Sequence, residues 1–400
     1  MERELRSVSG IRLGTAAAGI KYADREDLVV VEMAEGSSCA AVFTRNAFRA
    51  APVALAHTHL AGGHAPRWLL INSGNANAGT GTRGWMDALA TCAALADLTG
   101  GRVEQVLPFS TGVIGEYLPL EKIRAALPVA LAALSEEGWG NAARAIMTTD
   151  TRPKMASRVV NIADHPVTVT GIAKGAGMIH PNMATLLVFI GTDARIDPPS
   201  LQGFLQRAVD RSFNRITVDG DTSTNDSCVL MASNCSKSGP IVPGSAAARI
   251  FEDALDAVCQ GLAEAIIRDA EGATKFIEIL VEAAGSEEEA VSVAKTIAHS
   301  PLVKTAFFAS DPNWGRILAA VGRAECPNLD VSRVSIWLDE VKIVSGGERD
   351  PGYTEAQGLA VMARRDITVR VALGRGAATA RVLTCDLSYD YVRINAEYRS

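Results

Sequence analysis

The sequence predicts a mixed α/β protein built from two packed units, and three observations carry that prediction. Apolar runs of strand length alternate with amphipathic stretches of helix length along the chain. At 400 residues and 48% hydrophobic composition, there is enough apolar side chain for more than one core. A small helix-and-strand unit of its own begins near Gly285, which sets the expected internal boundary.

In the first half, RWLLIN at 67–72 reads as a strand, followed by a polar Gly/Asn/Ala loop and a helix over 85–98. A helix over 120–134 carries Pro128, where a kink or break is expected because proline lacks the N–H and crowds the preceding turn. VTVT at 167–170 alternates as a half-buried strand does, and the nearly unbroken apolar run 185–191 suits a strand covered on both faces. The second half opens with a helix over 199–212. Over 245–268, Phe251, Leu255, Val258, Leu262 and Ile266 form one helical stripe. A strand over 275–281 follows, then a helix begun by Ser286 and Glu289 at capping-box spacing, with Pro301 beyond it. Strands at 334–338 and 341–344 form a hairpin at Asp339-Glu340, and Gly374 and Gly376 turn the chain between strands at 367–373 and 377–385.

Composition removes several function classes. A net charge of −6 supplies no electrostatic reason to expect nucleic acid or an anionic membrane as partner. No apolar stretch approaches the roughly 20 residues of a membrane-spanning helix. The charged start, Met1-Glu-Arg-Glu-Leu-Arg-Ser, has no apolar segment behind it, so a cytoplasmic enzyme is expected. Seven scattered cysteines, never in a CxxC pair, read as reduced thiols rather than a disulfide framework or zinc site. His57, His59 and His64 lack any HExxH or acidic partner motif and read as surface or loop residues, so no metal is expected.

Three local patterns invite a chemical reading. Gly79-Thr-Gly81-Thr-Arg-Gly84 matches the dinucleotide fingerprint GxGxxG, which would make the chain a nicotinamide-dependent oxidoreductase. Residues 73–78 separate it from the strand end, however, where the first glycine is needed. The run Asp219-Gly-Asp221-Thr-Ser-Thr-Asn225-Asp226 resembles a calcium loop but has Thr224 at the turning position, so a polar turn that satisfies its own backbone fits it better. Lys174-Gly-Ala-Gly177-Met-Ile-His-Pro181-Asn-Met-Ala184-Thr185 is a tight turn leading into an apolar strand. A threonine there is ordinarily a β-former, and it becomes a nucleophile only if a base takes its proton.

The segment GIAKGAGMIHPNMATLL at 171–187 closely resembles the self-cleavage region of the ornithine acetyltransferases, the glutamate N-acetyltransferases of arginine biosynthesis. The same family's motifs are matched in order by VFTRNAF (42–48), INSGNANAGTG (71–81), PFSTGVIGE (108–116) and AIMTTDT (145–151). SFNRITVDGDTSTNDS (212–227), AEGATKF (270–276), SDPNWGR (310–316) and the terminal YVRINAEYRS continue the match to the chain end. The resemblance implies a layered α-β-β-α sandwich of the N-terminal-nucleophile type over 1–285, cut between Ala184 and Thr185 into chains 1–184 and 185–400. A smaller α/β domain over 286–385 and a tail, 386–400, returning to the active site complete the expected organisation.

The implied chemistry is acetyl transfer from N-acetylornithine to glutamate through an acetyl-Thr185 intermediate. Cleavage would give Thr185 a free α-amine, with a reference pKa of about 7.7–8.0, beside its own hydroxyl, so it would need no separate base. By the same resemblance, Thr111 and Gly112 supply the oxyanion hole from a Gly-containing loop after a strand. Lys174 and Glu271 meet the carboxylate and ammonium of the amino acid, and Thr151, Asn395 and Ser400 are further substrate contacts. Ser400 stands where threonine is common in the family, and His180 is a bystander. In YVRINAEYRS, Val392, Ile394 and Ala396 alternate as an extended segment would, leaving Asn395 on the other side. No cofactor is implied, although acetyl-CoA is a conceivable second donor, and the family implies a heterotetramer of two N-terminal and two C-terminal chains. The alternatives are a related self-processing amidohydrolase or aminopeptidase, which would lose the acyl group to water, and, more remotely, a binding module.

Overall fold

A computed structural model describes residues 5–180 and 186–397, so Ala184, Thr185 and Ser400 lie outside the described residues. The chain divides into two compact units.

The first unit comprises 1–178, 182–214 and 221–266. Its elements in order are β1 (Ile11–Ala16), β2 (Leu28–Met33), β3 (Ser38–Phe43), α1 (Ala51–Ala61), β4 (Trp68–Asn75), α2 (Gly81–Thr99), β5 (Val106–Val113), α3 (Leu120–Ala132) and α4 (Trp139–Ala145). β6 (Lys154–Ile162), β7 (His165–Lys174), β8 (Leu187–Thr192), α5 (Pro198–Arg211), β9 (Ser227–Ala232) and α6 (Ala246–Arg268) follow. The strands form two sheets, one ordered β1-β2-β4-β5 and one ordered β3-β9-β8-β7-β6.

Side-chain alternation explains the layering. In β2 and β4, Val29, Val31, Met33, Leu69 and Ile71 join a core with Ile172, Leu187, Phe189, Val229 and Met231 of the other sheet. The intervening Leu28, Val30, Trp68 and Leu70 pack instead with Cys92, Leu95, Ile123 and Leu127 of α2 and α3. Both faces of the strand are therefore covered, which is why these runs are apolar throughout. On the far side of the second sheet, a Cβ on Gly171 would come within 2.9 Å of Leu262 of α6, and Phe204 of α5 meets Phe251 of α6 edge to face. The order of layers is helices, sheet, sheet, helices, as expected. α3 runs through Pro128 without the expected break.

The second unit takes 267–400 together with 179–181 and 215–220. It contains β10 (Phe276–Ala284), α7 (Glu287–Ala298), α8 (Pro301–Phe308), α9 (Trp314–Gly322), β11 (Ser335–Leu338), β12 (Val341–Ser345) and β13 (Glu348–Arg349). α10 (Glu355–Met362), β14 (Asp366–Ala372), β15 (Ala378–Cys385) and α11 (Tyr389–Ala396) complete it. One sheet, β13-β12-β11-β14-β10-β15, packs Ile277, Ile279 and Val281 against Ala290, Val293 and Ile297 of α7. β14 and β15 do not pair with each other. β10 lies between them, parallel to β14 and antiparallel to β15. The boundary therefore falls before β10, at Ile267, and not at the expected Gly285.

Two further expectations are corrected. The segment over Val392, Ile394 and Ala396 is not extended but belongs to helix α11, begun by Ser388, whose Oγ accepts from the Tyr391 N–H at 3.2 Å. His59 is not a surface residue: it lies buried in α1, and its Nδ1 shares a 2.7 Å hydrogen bond with the Val106 carbonyl. No helix among the described residues is long and apolar enough to cross a membrane. No group of three potential metal ligands occurs among them.

Gly191 tests the packing between the two sheets of the first unit. A Cβ there would lie 2.7 Å from Ile11 Cδ1 and 2.8 Å from Trp139 Cη2, both in the shared core. We expect Gly191→Val to lower stability by about 1–3 kcal/mol through overpacking, measured from urea midpoints. An unchanged midpoint would mean that the two sheets are free to separate at this point.

Candidate active site

Register brings several strand ends together in the first unit. Lys174, the last residue of β7, pairs with Leu187, the first of β8, and Leu187 pairs with Ser227, the first of β9. From the opposite sheet comes the end of β5, carrying Thr111 and Gly112. Lys174 is buried, and its Nζ donates to Thr111 Oγ1 at 3.3 Å, joining the two sheets at this end.

Thr111 and Gly112 lie within strand β5, not in the expected loop. Gly112 has a φ of 137°, and a Cβ there would lie 2.2 Å from the Gly74 carbonyl carbon, beside an irregularity in β4 at Gly74/Asn75. Only glycine fits that approach. The asparagines of INSGNANAGTG hold this geometry. Asn72 Nδ2 donates to the Asn75 carbonyl at 2.9 Å, and its Oδ1 accepts from Ser110 Oγ at 2.5 Å. Asn75 Nδ2 donates to the carbonyls of Glu116 and Tyr117 at 3.2 and 3.0 Å. Asn77 Nδ2 donates to the Gly84 carbonyl at 2.8 Å, while Thr80 Oγ1 donates to Asn77 Oδ1 at 2.8 Å. The GxGxxG pattern is therefore the start of α2 and no phosphate cradle: a Cβ on Gly84 would meet Thr80 Oγ1 at 1.9 Å.

The acidic run behaves as a self-satisfying turn only in part. Asn225 N–H donates to Ser223 Oγ at 3.0 Å, and Thr224 Oγ1 donates to Asn225 Oδ1 at 2.5 Å. Asn225 Nδ2, however, reaches the Ala76 carbonyl at 2.7 Å and the Ser110 carbonyl at 2.8 Å. Asp226 is buried and accepts the Leu186 N–H at 2.8 Å. Burial pushes its carboxyl well above the usual carboxylate range, against the Leu186 N–H, Lys174 and Ser223, which all favour charge. The Ala76, Ser110 and Leu186 partners are remote in sequence, so the acidic run alone does not assign Asn225 and Asp226 to these strand ends.

Asp150 is a third residue whose role sequence reading missed. Its Oδ1 accepts from Lys154 Nζ at 2.5 Å and from the Gly175 N–H at 2.7 Å, and its Oδ2 accepts from the Thr148 N–H at 3.0 Å. Burial works to raise its pKa, but the Lys174 and Lys154 ammoniums and these hydrogen bonds outweigh it and hold the carboxyl at about 2. Asp150 thus fixes the residue after Lys174 and precedes Thr151, which is exposed.

In the second unit, Glu271 is buried and its Oε2 accepts from Asn395 Nδ2 at 2.8 Å. Tyr391, one turn earlier on α11, donates its hydroxyl to Asp219 Oδ2 at 3.1 Å. His180 Nδ1 and His299 Nε2 share a hydrogen bond of 2.8 Å, and burial, with the neighbouring cations, lowers the His299 pKa to about 3.

The Asp150 arrangement yields a test. Asp150→Ala leaves Lys154 buried without its carboxylate, and we expect a loss of about 3–5 kcal/mol at pH 7. Because the folded pKa lies below the ordinary value, this contribution is complete above the ordinary carboxylate range and fades as pH falls toward about 2. Denaturant titrations across pH should show the wild-type advantage shrinking in acid; a constant gap would assign the loss to packing instead.

Comparison with known proteins follows this geometry. The model of the ArgJ family matches residues 12–400. The arginine biosynthesis bifunctional protein ArgJ of Methylococcus capsulatus is 71% identical over 393 residues, covering 98% of this chain and 96% of that protein. The protein of the same name from Pseudomonas fluorescens is 54% identical over 398 residues, covering 99% and 98%. A crystal structure of the Bacillus halodurans arginine biosynthesis bifunctional protein argJ matches at 43% identity and a TM-score of 0.51, covering 52% of this chain and 98% of the solved one. With the family model spanning nearly its whole length and relatives this similar, the chain belongs to the ArgJ family.

Proposed function

We propose that the protein transfers the acetyl group of N2-acetyl-L-ornithine to L-glutamate, giving L-ornithine and N-acetyl-L-glutamate, with Thr185 as nucleophile. The observation that carries this reading is the buried Lys174 ammonium meeting the Thr111 hydroxyl at 3.3 Å, with Lys174 paired to Leu187, two residues beyond Thr185. A cation and a hydroxyl donor thereby flank the strand that Thr185 leads into, as transfer from an anionic amino-acid derivative requires.

In the self-cleavage step, Thr185 Oγ attacks the Ala184 carbonyl carbon. The C–N bond breaks, the nitrogen takes a proton, and water hydrolyses the resulting ester to leave the Ala184 carboxylate and the Thr185 α-amine. That amine then accepts the hydroxyl proton as Oγ attacks the acetyl carbonyl, and ornithine departs with the proton. Thr111 Oγ1 and the Gly112 N–H take the developing oxyanion. The glutamate amine attacks the acetyl ester and restores the hydroxyl. Lys174 and Glu271 meet the carboxylate and ammonium of both substrates in turn, assisted by Thr151, Asn395 and Ser400. The Bacillus halodurans match is consistent with a family cut in mid-chain, since nearly all of that solved chain corresponds to only about half of this one.

The relatives' name, bifunctional, supports acetyl-CoA as a second acetyl donor to glutamate. We assign the protein to the cytoplasm and expect two copies of each fragment to assemble into a heterotetramer.

Two experiments test the reading. Intact-mass measurement should find wild-type protein as 1–184 and 185–400, and Thr185→Ala as one uncut, inactive chain. An uncut and fully active wild type would defeat the mechanism, because Thr185 would then have no amine. Thr111→Ala, once cleaved, should lower kcat by roughly 10²–10³-fold with little change in KM. Unaltered kcat in that variant would remove Thr111 from the oxyanion hole.

A further inference from the structure

We infer that Asn225 and Asp226 are positioning residues that set the distance between the nucleophile-bearing strand and the oxyanion donors. The inference rests on the acyl-transfer reading and adds two residues to its machinery. Leu186 nitrogen is bonded to the Thr185 carbonyl carbon, so whatever holds that N–H holds one end of the Thr185 peptide plane. Asp226 Oδ1 holds it at 2.8 Å, and the Ser227 N–H holds the Leu186 carbonyl at 3.1 Å, so residue 186 is clamped on both sides.

Asn225 acts in the opposite sheet. Its amide donates to the Ser110 carbonyl at 2.8 Å, and that carbonyl belongs to the peptide plane ending at the Thr111 nitrogen. Its other N–H holds the Ala76 carbonyl at 2.7 Å, just past the end of β4. The amide oxygen accepts from Thr224 Oγ1, so both donors and the acceptor of the side chain are used. Two consecutive residues thus grip two peptide planes, one beside Thr185 and one beside Thr111. A shift of either strand relative to the other breaks at least one of these bonds.

The pair is costly in isolation. Asn225 and Asp226 are 6% and 1% exposed, and Asp226 Oδ2 is buried without a hydrogen bond among the described residues. The Leu186 N–H needs an accepting oxygen at this position, which asparagine also presents, so asparagine is a close mimic of Asp226.

The test measures kcat and KM for N-acetylornithine and glutamate on cleaved, folded variants. Asn225→Ala should lower kcat about 10–100-fold with KM unchanged, as a displaced oxyanion donor does. In a Thr111→Ala background the same change should cost less than about 3-fold, because there is no Thr111 hydroxyl left to misplace. Effects of Asn225→Ala and Thr111→Ala that simply multiply would overturn the inference. Asp226→Asn should keep kcat within about 3-fold, whereas Asp226→Ala should lose about 10–100-fold; equal losses would show that the accepted hydrogen bond is not the means. If Asn225→Ala does not fold, Asn225→Gln, which moves the amide by one methylene, is measured in the same pair of backgrounds. A Thr185→Ala variant that is still cut or active would sink the acyl-transfer reading itself. Multiplying effects in a protein that Thr185→Ala abolishes would sink only the role of Asn225 and Asp226.

Discussion

Buried charge is the constraint on which the first unit depends. Lys154 and Lys174 both lie out of solvent, and an ammonium removed from water must find compensation or lose its proton. Asp150 supplies it, held as an anion by the two cations and by backbone N–H groups of Thr148 and Gly175. The position of the turn after β7 follows from that carboxylate, and so does the line along which Lys174 reaches Thr111. Asp226, another buried acid, has its pKa moved the opposite way, raised by burial. Cations and donors outweigh burial at Asp150, while burial outweighs them at Asp226.

Glycine stands where a side chain would collide at two kinds of close approach in the first unit, between neighbouring strands of one sheet and between the two sheets. Gly112 and Gly74 let β5 and β4 run against each other, and Gly191 makes room for Ile11 and Trp139. Asparagines then take up the backbone groups that the irregular strand ends leave unpaired, so the polar loops of INSGNANAGTG lie inside the protein and not on its surface. An interior wired in this way holds its donors fixed before any substrate arrives, which is the condition for electrostatic stabilisation of a developing charge.

Much of this was legible in the sequence, and for identifiable reasons. The helices with a clear stripe, α5 and α6, and the apolar strand β8 appear within one or two residues of their expected ends, because local periodicity determines them. Order of strands is a different matter. Nothing local in 367–385 announces that β10 will sit between β14 and β15, and that insertion moves the unit boundary to Ile267. The tail misled for a related reason: Val392, Ile394 and Ala396 alternate by chance, while the cap at Ser388 and the one-turn spacing of Tyr391 and Asn395 decide for a helix. Lys174 and Thr111 were found through family motifs. Asp150, Asn225 and Asp226 were not, since the partners that tie them to the strand ends lie 25 to 149 residues away.

The order of the five-stranded sheet has a consequence for how the cleaved protein comes apart. A cut between Ala184 and Thr185 falls in the connection between β7 and β8, which remain hydrogen-bonded neighbours. β9 and β8 would then belong to one polypeptide and lie between β3 and β7 of the other. Separation therefore requires tearing two ladders at once, β3 from β9 and β7 from β8. In the uncut precursor the same strands are tethered, and their re-pairing after unfolding is a first-order event. After the cut it becomes second-order, so recovery from denaturant depends on protein concentration and competes with aggregation of the loose strands. With the cut at that place, a chain that folded only after it would have to assemble this sheet from two separate polypeptides.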